Sequence, residues 1–421
     1  MAAAAPNLLR ECPDCGQFHR LGPIPAGSTA RCARCGAVLR RVRRDPLGTP
    51  LALALSGLAL FTVAIFMPFM SLNIGGQQVD ASLITGPQQL ERQGLWQLAL
   101  LVALTTLVAP MVKLCAMVYV LAGARLRRPP HHLQTVFRWI EHLGPWSMIE
   151  VYLLGVFVAY TKLVDMAQVH VGMALFAFAG VMIAMTAADS ALDPEAVWQA
   201  IDRRSPSQAQ AARAIGGPAS HAVGCHCCGL VSGIDRQAPA HCPRCGNHLH
   251  ARKPNSIART WALLLAAAIL YVPANLYPVM TVISLGQGTP DTILSGVEEL
   301  AHAGMWPLAL LVFFASITVP VLKLIGLTVM LVSTQTRSHR RLRDRTVLYR
   351  IVEFVGRWSM IDVFMISILV GLVQLGNLAT IEPGIGAVSF ASVVILTMLA
   401  AESFDPRLMW DAVETSGRSE P

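Results

Sequence analysis

The sequence predicts an all-α polytopic membrane protein: two tandem four-helix transmembrane repeats, each preceded by a small cytoplasmic zinc-ribbon (rubredoxin-like) module. Three observations predict it. Of 421 residues, 54% are aliphatic, aromatic or Cys and only 14% are charged, against roughly 25% charged in a soluble domain. The apolar residues come in blocks of about 20, the length a helix needs to cross ~30 Å of hydrocarbon. The second half of the chain repeats the first, and paired cysteines precede each half. This composition excludes an ordinary soluble enzyme, and it excludes disorder, which needs many charges and few apolar residues.

The first module covers residues 1–45. Its opening, MAAAAPNLLR, lacks the early basic region and long apolar core of a secretory signal. Cys12-Pro-Asp-Cys15 and Cys32-Ala-Arg-Cys35 follow; the second module, 222–254, carries Cys225-His-Cys-Cys228 and Cys242-Pro-Arg-Cys245. Two CxxC turns supply four thiolates in a tetrahedron, which suits Zn²⁺. Gly16, Gly36, Gly229 and Gly246 follow the second Cys of each pair, where a knuckle needs an unhindered backbone. That register makes Cys227 the spare thiol; His226 and His241 are substitute ligands to weigh against it. Four thiolates also hold iron, so the metal stays open between zinc and iron. Disulfides are rare in a reducing cytoplasm, and thioredoxin-like chemistry needs an α/β domain that is absent here. About 35 residues build no core unaided, so a metal would hold each module together.

The first membrane repeat covers 46–198, a linker 199–221 and the second repeat 255–415. Apolar blocks run from about Pro50 to Met70 and near 95–124, 146–164, 169–190, 258–282, 305–332, 358–377 and 385–402. Arg40, Arg41, Arg43 and Arg44 precede the first; Arg125, Arg127, Arg128 and Arg138 lie between the second and third; Arg203, Arg204 and Arg213 follow the fourth; Arg337, Arg340, Arg341, Arg343, Arg345 and Arg350 lie between the sixth and seventh. The alternate loops, 71–92 and 283–303, hold only Arg92 among them. The positive-inside rule then places both termini, the linker and the Arg-rich loops in the cytoplasm. That orientation accounts for the net charge of +8 without nucleic-acid binding.

The repeat is direct. GLWQLALLVALTTLVAPMVKL (94–114) aligns without gaps to GMWPLALLVFFASITVPVLKL (304–324), WSMIEV (146–151) to WSMIDV (358–363), and LDPEAVW (192–198) to FDPRLMW (404–410). An even number of spans per unit gives both copies one orientation, as in parallel repeats related by an axis along the membrane normal. Met67-Pro68 and Tyr277-Pro278 end the first span of each repeat. Pro273 and Asn275 interrupt the latter, and Pro110 and Pro320 kink the second spans. Trp96, Trp146, Trp306 and Trp358 read as interfacial anchors at span starts.

Lys113 and Lys323 lie inside apolar spans. A charge at membrane depth costs at least ~2.5–3.5 kcal/mol, so each needs a partner. Glu150 and Asp362 of the matching W-S-M-I-[ED] segments are the expected ones. Ser316 lies on the face of Lys323, Ser359 on the face of Asp362, and Thr397 in the last span. Lys323, Asp362, Ser316, Ser359, Thr397, Lys113 and Glu150 are therefore the candidate relay. The bland alternative is that each pair only fixes helix register.

With these segments in hand, the chain resembles the paraquat-inducible protein A family over roughly residues 10–415. The resemblance rests on Cys12, Cys15, Cys32, Cys35, Cys225, Cys228, Cys242 and Cys245, on Gly304-Met305-Trp306, Pro320-Val321-Leu322-Lys323 and Trp358-Ser359-Met360-Ile361-Asp362, and on Phe404-Asp405-Pro406-Arg407. In the first copy Leu192-Asp193-Pro194-Glu195 departs from the last segment. The resemblance implies a bacterial inner-membrane protein that works with an MCE-domain protein forming a hydrophobic tunnel across the periplasm. It also implies movement of phospholipid between membrane and tunnel, supporting envelope integrity.

No GxxxxGK[ST] loop, nucleophile elbow or HExxH is present, so the chain reads as a non-enzyme without an ATPase of its own. Two other functions are weighed beside lipid transport: a membrane-bound redox or metal sensor using the Cys modules, and a passive anchor for the MCE protein.

Overall fold

The computed structural model describes residues 8–74, 77–126, 130, 132–164, 168–202, 221–234, 240–284, 287–338, 340–373 and 379–416. Arg127, Arg128, Arg203, Arg204, Arg213 and most of the linker lie outside the described residues. Among the described residues, eight helices are long and apolar enough to cross a membrane: Gly48–Phe66, Trp96–Gly123, Leu133–Val164, Met173–Ala191, Ser256–Leu276, Trp306–Gln335, Leu342–Leu372 and Ile385–Ser403. They are called spans one to eight. The chain is a multi-pass membrane protein with two four-span repeats, and both Cys modules lie at one end of it, the module side.

Spans three and seven start earlier than the sequence suggests. Leu133–Leu143 leads through a 3-10 turn, Gly144–Trp146, into Ile149–Val164; Leu342–Gly356 leads through Arg357–Met360 into Ile361–Leu372. Arg138, Arg343, Arg345 and Arg350 thus sit on helices, not in loops. The early part of span three is amphipathic: Leu133, Phe137 and Ile140 are buried while Glu141 and His142 face outward, a helical apolar stripe that a hydropathy window dilutes. Trp146 and Trp358 mark the 3-10 breaks rather than span starts.

On the opposite end the basic-poor loops fold into small sheets. Met70–Ile74 pairs antiparallel with Gln77–Ala81 and Gln168–Val171; Met280–Ser284 pairs with Gln287–Asp291 and Ala379–Pro383. Residues assigned to the ends of spans one and five are therefore strand, beyond Pro68 and Pro278. Pro273 does not interrupt span five, which runs on to Leu276. It sits near the helix end, and Asn275 Nδ2 donates to the Tyr271 carbonyl at 2.8 Å. In spans two and six a single π-turn, Leu104–Val108 and Phe314–Thr318, directly precedes Pro110 and Pro320. The wider turn absorbs the proline ring and its missing donor.

Span seven is the hub. Its apolar window is 83% buried, against 22% for span five. It meets span three across the repeat boundary, where a Cβ on Gly155 would lie 3.1 Å from Phe364 and Tyr152 meets the Phe364 ring edge-on at 5.5 Å. The short helix Thr85–Arg92 of the first repeat also closes on span seven, Gly86 against Gly371 with no room for a side chain.

The Cys modules are exchanged between repeats. The first shares a buried cluster with Leu327, Met330, Leu331, Tyr349 and Trp410 of the second repeat. There Arg350 pairs with Asp14 at 2.6 Å and Arg34 lies over Trp410. The second module joins the cluster of Phe137 and Trp198 in the first repeat. There Arg244 pairs with Asp202 at 2.6 Å and Glu195 at 3.1 Å and lies over Trp198. Arg34 and Arg244 are equivalent, as are Trp410 and Trp198.

Candidate functional site

The two cysteine sets are built as closed metal cages. Within each, all four sulfurs lie within 4.8 Å of one another. Cys12–Cys35 and Cys15–Cys32 are 3.5 and 3.6 Å apart, Cys225–Cys245 and Cys228–Cys242 3.5 and 3.4 Å. A tetrahedron with ~2.3 Å metal–sulfur bonds has edges of about 3.8 Å, so both sets fit one ion each. Gly16, Gly36, Gly229 and Gly246 all adopt positive φ. Their amides donate to the carbonyls of Cys12, Cys32, Cys225 and Cys242, which closes each knuckle. Cys227 is outside the set. His226 Nε2 lies 2.6 Å from Arg407 Nη2, and the His241 ring lies tilted against His248 at 4.2 Å; neither belongs to a four-sulfur set. Burial, with the Arg407 charge, holds the His226 imidazole down at about 4, so it is neutral and accepts from Arg407.

The polar groups of the membrane behave differently in the two repeats. In the first they are satisfied. Lys113 Nζ donates to Asp189 Oδ2 at 2.6 Å, not to Glu150 as expected; Glu150 instead accepts from Thr186 at 3.3 Å. Thr106 donates to the Val102 carbonyl at 2.7 Å, and Ser147 reaches the Met185 sulfur. Asp189 closes span four in the run Ala-Ala-Asp-Ser, where it reads as a helix-end acid, so spacing alone did not single it out.

In the second repeat the expected Lys323–Asp362 pair is not formed. Lys323, 2% exposed, donates only a long bond, 3.4 Å, to the Gly356 carbonyl. Asp362 is buried, and neither of its carboxylate oxygens has a hydrogen-bond partner. Ser316, in the π-turn of span six, is its polar neighbour, yet the Ser316 and Ser359 hydroxyls are also unpartnered. Thr397 is buried and donates to the Val394 carbonyl at 2.9 Å. Gly356, Ser359 and Asp362 follow at intervals of three, so they form one face of the span-seven helix.

A cavity opens at each end of this face. Toward the module side lies one of about 380 Å³, lined by Lys323, Arg350, Glu353, Gly356, Arg357 and Glu402 with Trp146 and Met398. Toward the sheet side, Asp362 lines a smaller cavity with Lys162, Asp291, Gly296 and Met365. Its space for water centres is about 30 Å³, and one water needs about 10–15 Å³ by that measure. Gly296 is the counterpart of Gly86, which in the first repeat packs shut on span seven. Lys162 and Asp291 were not singled out from sequence: Lys162 belongs to the first repeat, and no linear pattern reports that it faces the second.

Fold and site define the class: a two-repeat, eight-span membrane protein braced by exchanged tetracysteine modules, with a buried polar column in one repeat. The family profile described as Paraquat-inducible protein A matches residues 47–202 and 257–414, and the chain belongs to that family. The Intermembrane transport protein PqiA of Escherichia coli K12 is 33% identical over 417 residues, 99% of this chain and 98% of that protein. Lipophilic envelope-spanning tunnel protein A of the same organism is 33% identical over 406 residues, 96% and 92% of the two chains. A Probable intermembrane transport protein of Haemophilus influenzae is 28% identical over 410 residues. No solved structure matches the chain.

Proposed function

We propose that this chain is the inner-membrane component of a lipid transport system. It exchanges phospholipid between the membrane and a periplasmic tunnel formed by an MCE-domain partner, and it couples that exchange to proton movement. The transport names of its relatives over nearly their full lengths support the coarse reading. On this reading the Arg-rich module side faces the cytoplasm, as the positive-inside rule favours, and the small sheets lie at the periplasmic end, nearest the tunnel. Zinc is the proposed metal. The cysteine sulfurs are buried at the foot of both repeats, which supports a bracing role over a sensing one.

One observation carries the proton coupling: in the second repeat Lys323, Ser359, Ser316 and Asp362 are buried, poorly paired, and stacked between two cavities at opposite ends. Buried polar groups are almost always paired, and intramembrane ionisable groups mark ion and proton paths. Proton arrival at Asp362 from the periplasmic cavity removes a buried charge, which changes the packing of span seven against spans three and six. Thr397 is the buried hydroxyl that the last span contributes to this reading; Lys113 and Glu150 hold the first repeat as the fixed half.

The test is lipid transfer in proteoliposomes containing the chain and its MCE partner. Lys323→Ala and Asp362→Asn are expected to lower transfer at least tenfold. Folded variants that transfer lipid at the normal rate would reject the relay.

A further inference from the structure

We infer that the cavity around Lys323 is a headgroup site for a primary-amine phospholipid, whose phosphate takes the place of a missing counter-ion. This deepens the lipid-transport reading and rests on it only in supposing that the chain meets phospholipid.

The argument begins with the repeat. Lys113 is neutralised by Asp189 at 2.6 Å. The gapless match of LDPEAVW to FDPRLMW puts Ala401 where the first repeat has Asp189. Ala401 lines the cavity, and so does Lys323. Losing that carboxylate does two things at once: it leaves a buried ammonium without an acid, and it vacates the space the acid would fill. A buried ammonium with only one long carbonyl contact is costly unless an anion reaches it. At about 380 Å³ the cavity falls in the ~300–1,000 Å³ range of small-molecule sites.

The lining selects the ligand. The cavity lies toward the module side: Arg350, about two turns ahead of Arg357 on the helix, already touches the first Cys module through Asp14. Trp146, Val352, Phe354 and Met398 supply an apolar wall, and Phe354 is 59% exposed on the outer face of span seven. A ligand that is charged at one end and apolar at the other fits this wall and floor. Its charge is not simply negative. Arg350 is committed to Asp14 and the Cys35 carbonyl, and the neighbouring Lys253 ammonium is committed to the Glu402 and Phe404 carbonyls, which leaves Lys323 and Arg357 as the lining cations beside the carboxylates of Glu353 and Glu402. A purely anionic headgroup would satisfy the cations and meet two carboxylates. A zwitterion satisfies both: phosphate on Lys323, ammonium on Glu402 and Glu353. A primary ammonium donates hydrogen bonds to those carboxylates, whereas a trimethylammonium has none to donate.

The experiment measures binding to the full-length protein in detergent by native mass spectrometry, with no MCE partner and no pH gradient. The probes are dioctanoyl phosphatidylethanolamine, dioctanoyl phosphatidylglycerol, dioctanoyl phosphatidylcholine and inorganic phosphate. The ethanolamine lipid is expected to bind at least tenfold tighter than the other three. Ala401→Asp, which restores the first repeat's ion pair and keeps Lys323, is expected to weaken it at least tenfold. Lys323→Met serves the same purpose should Ala401→Asp not fold. Glu353→Gln with Glu402→Gln is expected to erase the preference for ethanolamine over glycerol headgroups. Equal binding to wild type and a folded Ala401→Asp or Lys323→Met variant overturns the site. A preference for phosphatidylglycerol, for phosphatidylcholine or for free phosphate overturns the ligand. Because binding is read without transport, this result is independent of the relay: intact binding with unchanged transfer in Asp362→Asn rejects the relay alone.

Discussion

Glu195 and Arg407 stand at the same place in the two repeats, carry opposite charges, and each meets a counter-ion from the first Cys module. Glu195 meets Arg10 at 2.8 Å and Arg244 at 3.1 Å; Arg407 meets Glu11 at 2.8 Å and Asp405 at 2.9 Å. Arg10 and Glu11 are adjacent, so one strand of the first module grips both repeats through side chains of opposite sign. The departure of LDPE from FDPR is thus a matched charge exchange rather than a degenerate copy.

Truncating either anchor leaves buried charge behind. Glu195→Ala leaves Arg10 without its acid and Arg244 with Asp202 alone, and Arg407→Ala leaves Glu11 with Arg252 and Asp405 with only backbone donors. Each is expected to destabilise the folded protein by about 3–5 kcal/mol, seen as a lowered thermal unfolding midpoint in detergent. An unchanged midpoint would show that the modules do not brace the repeats.

Asp405 sets an acid limit on the same cluster. Burial pushes its carboxyl up, but the Arg407 guanidinium and the Lys253 and Arg407 amides outweigh this and hold it below its ordinary value. A carboxyl depressed in the folded state adds stability above its unfolded value, and that stability is lost as pH falls through the folded one. Stability is therefore expected to drop below about pH 4, and Asp405→Asn to flatten that drop while lowering stability at pH 7. Unfolding midpoints across pH 3–7 check both.

The module exchange makes metal loss act at a distance. Cys12→Ser with Cys35→Ser is expected to raise hydrogen exchange in Leu342–Gly356 and Arg407–Ser416 of the second repeat, against which the first module packs. Leu133–Leu143 of the first repeat, packed in the cluster of the second module, stays protected. A reversed pattern would mean that each module serves its own repeat.

The two membrane lysines should differ in consequence. Lys113, paired with Asp189, is expected to tolerate Met with lipid transfer near wild type, whereas Lys323→Met abolishes transfer. Equal loss in both would contradict the division of labour between the repeats.

How much of this the sequence carries follows from what is local. Span number, the repeat and both Cys sets are written in composition and spacing, because a helix must be apolar for about 20 residues and a knuckle needs its Gly. Sequence spacing placed Lys323, Ser359 and Asp362 on two neighbouring helices. It did not show that Lys113 turns to Asp189 instead of Glu150, or that Lys323 and Asp362 face different cavities, because those depend on how spans four, six and seven rotate against each other. The sheets beyond Pro68 and Pro278 were hidden for another reason: strands of four or five residues joined to apolar helices look like their continuation. The exchange of modules leaves no trace in either repeat alone, since Arg34 and Arg244 both stand in a Cys-x-Arg-Cys-Gly run.

The central claim is that a proton crosses the second repeat by way of Asp362. The most direct measurement is proton flux in proteoliposomes carrying the chain and the proposed MCE-domain partner, followed with a trapped pH-sensitive dye under an imposed pH gradient. Wild type is predicted to pass protons when acceptor lipid is supplied, and Asp362→Asn to reduce that flux at least tenfold while folding normally. Wild-type flux through folded Asp362→Asn protein would contradict the account.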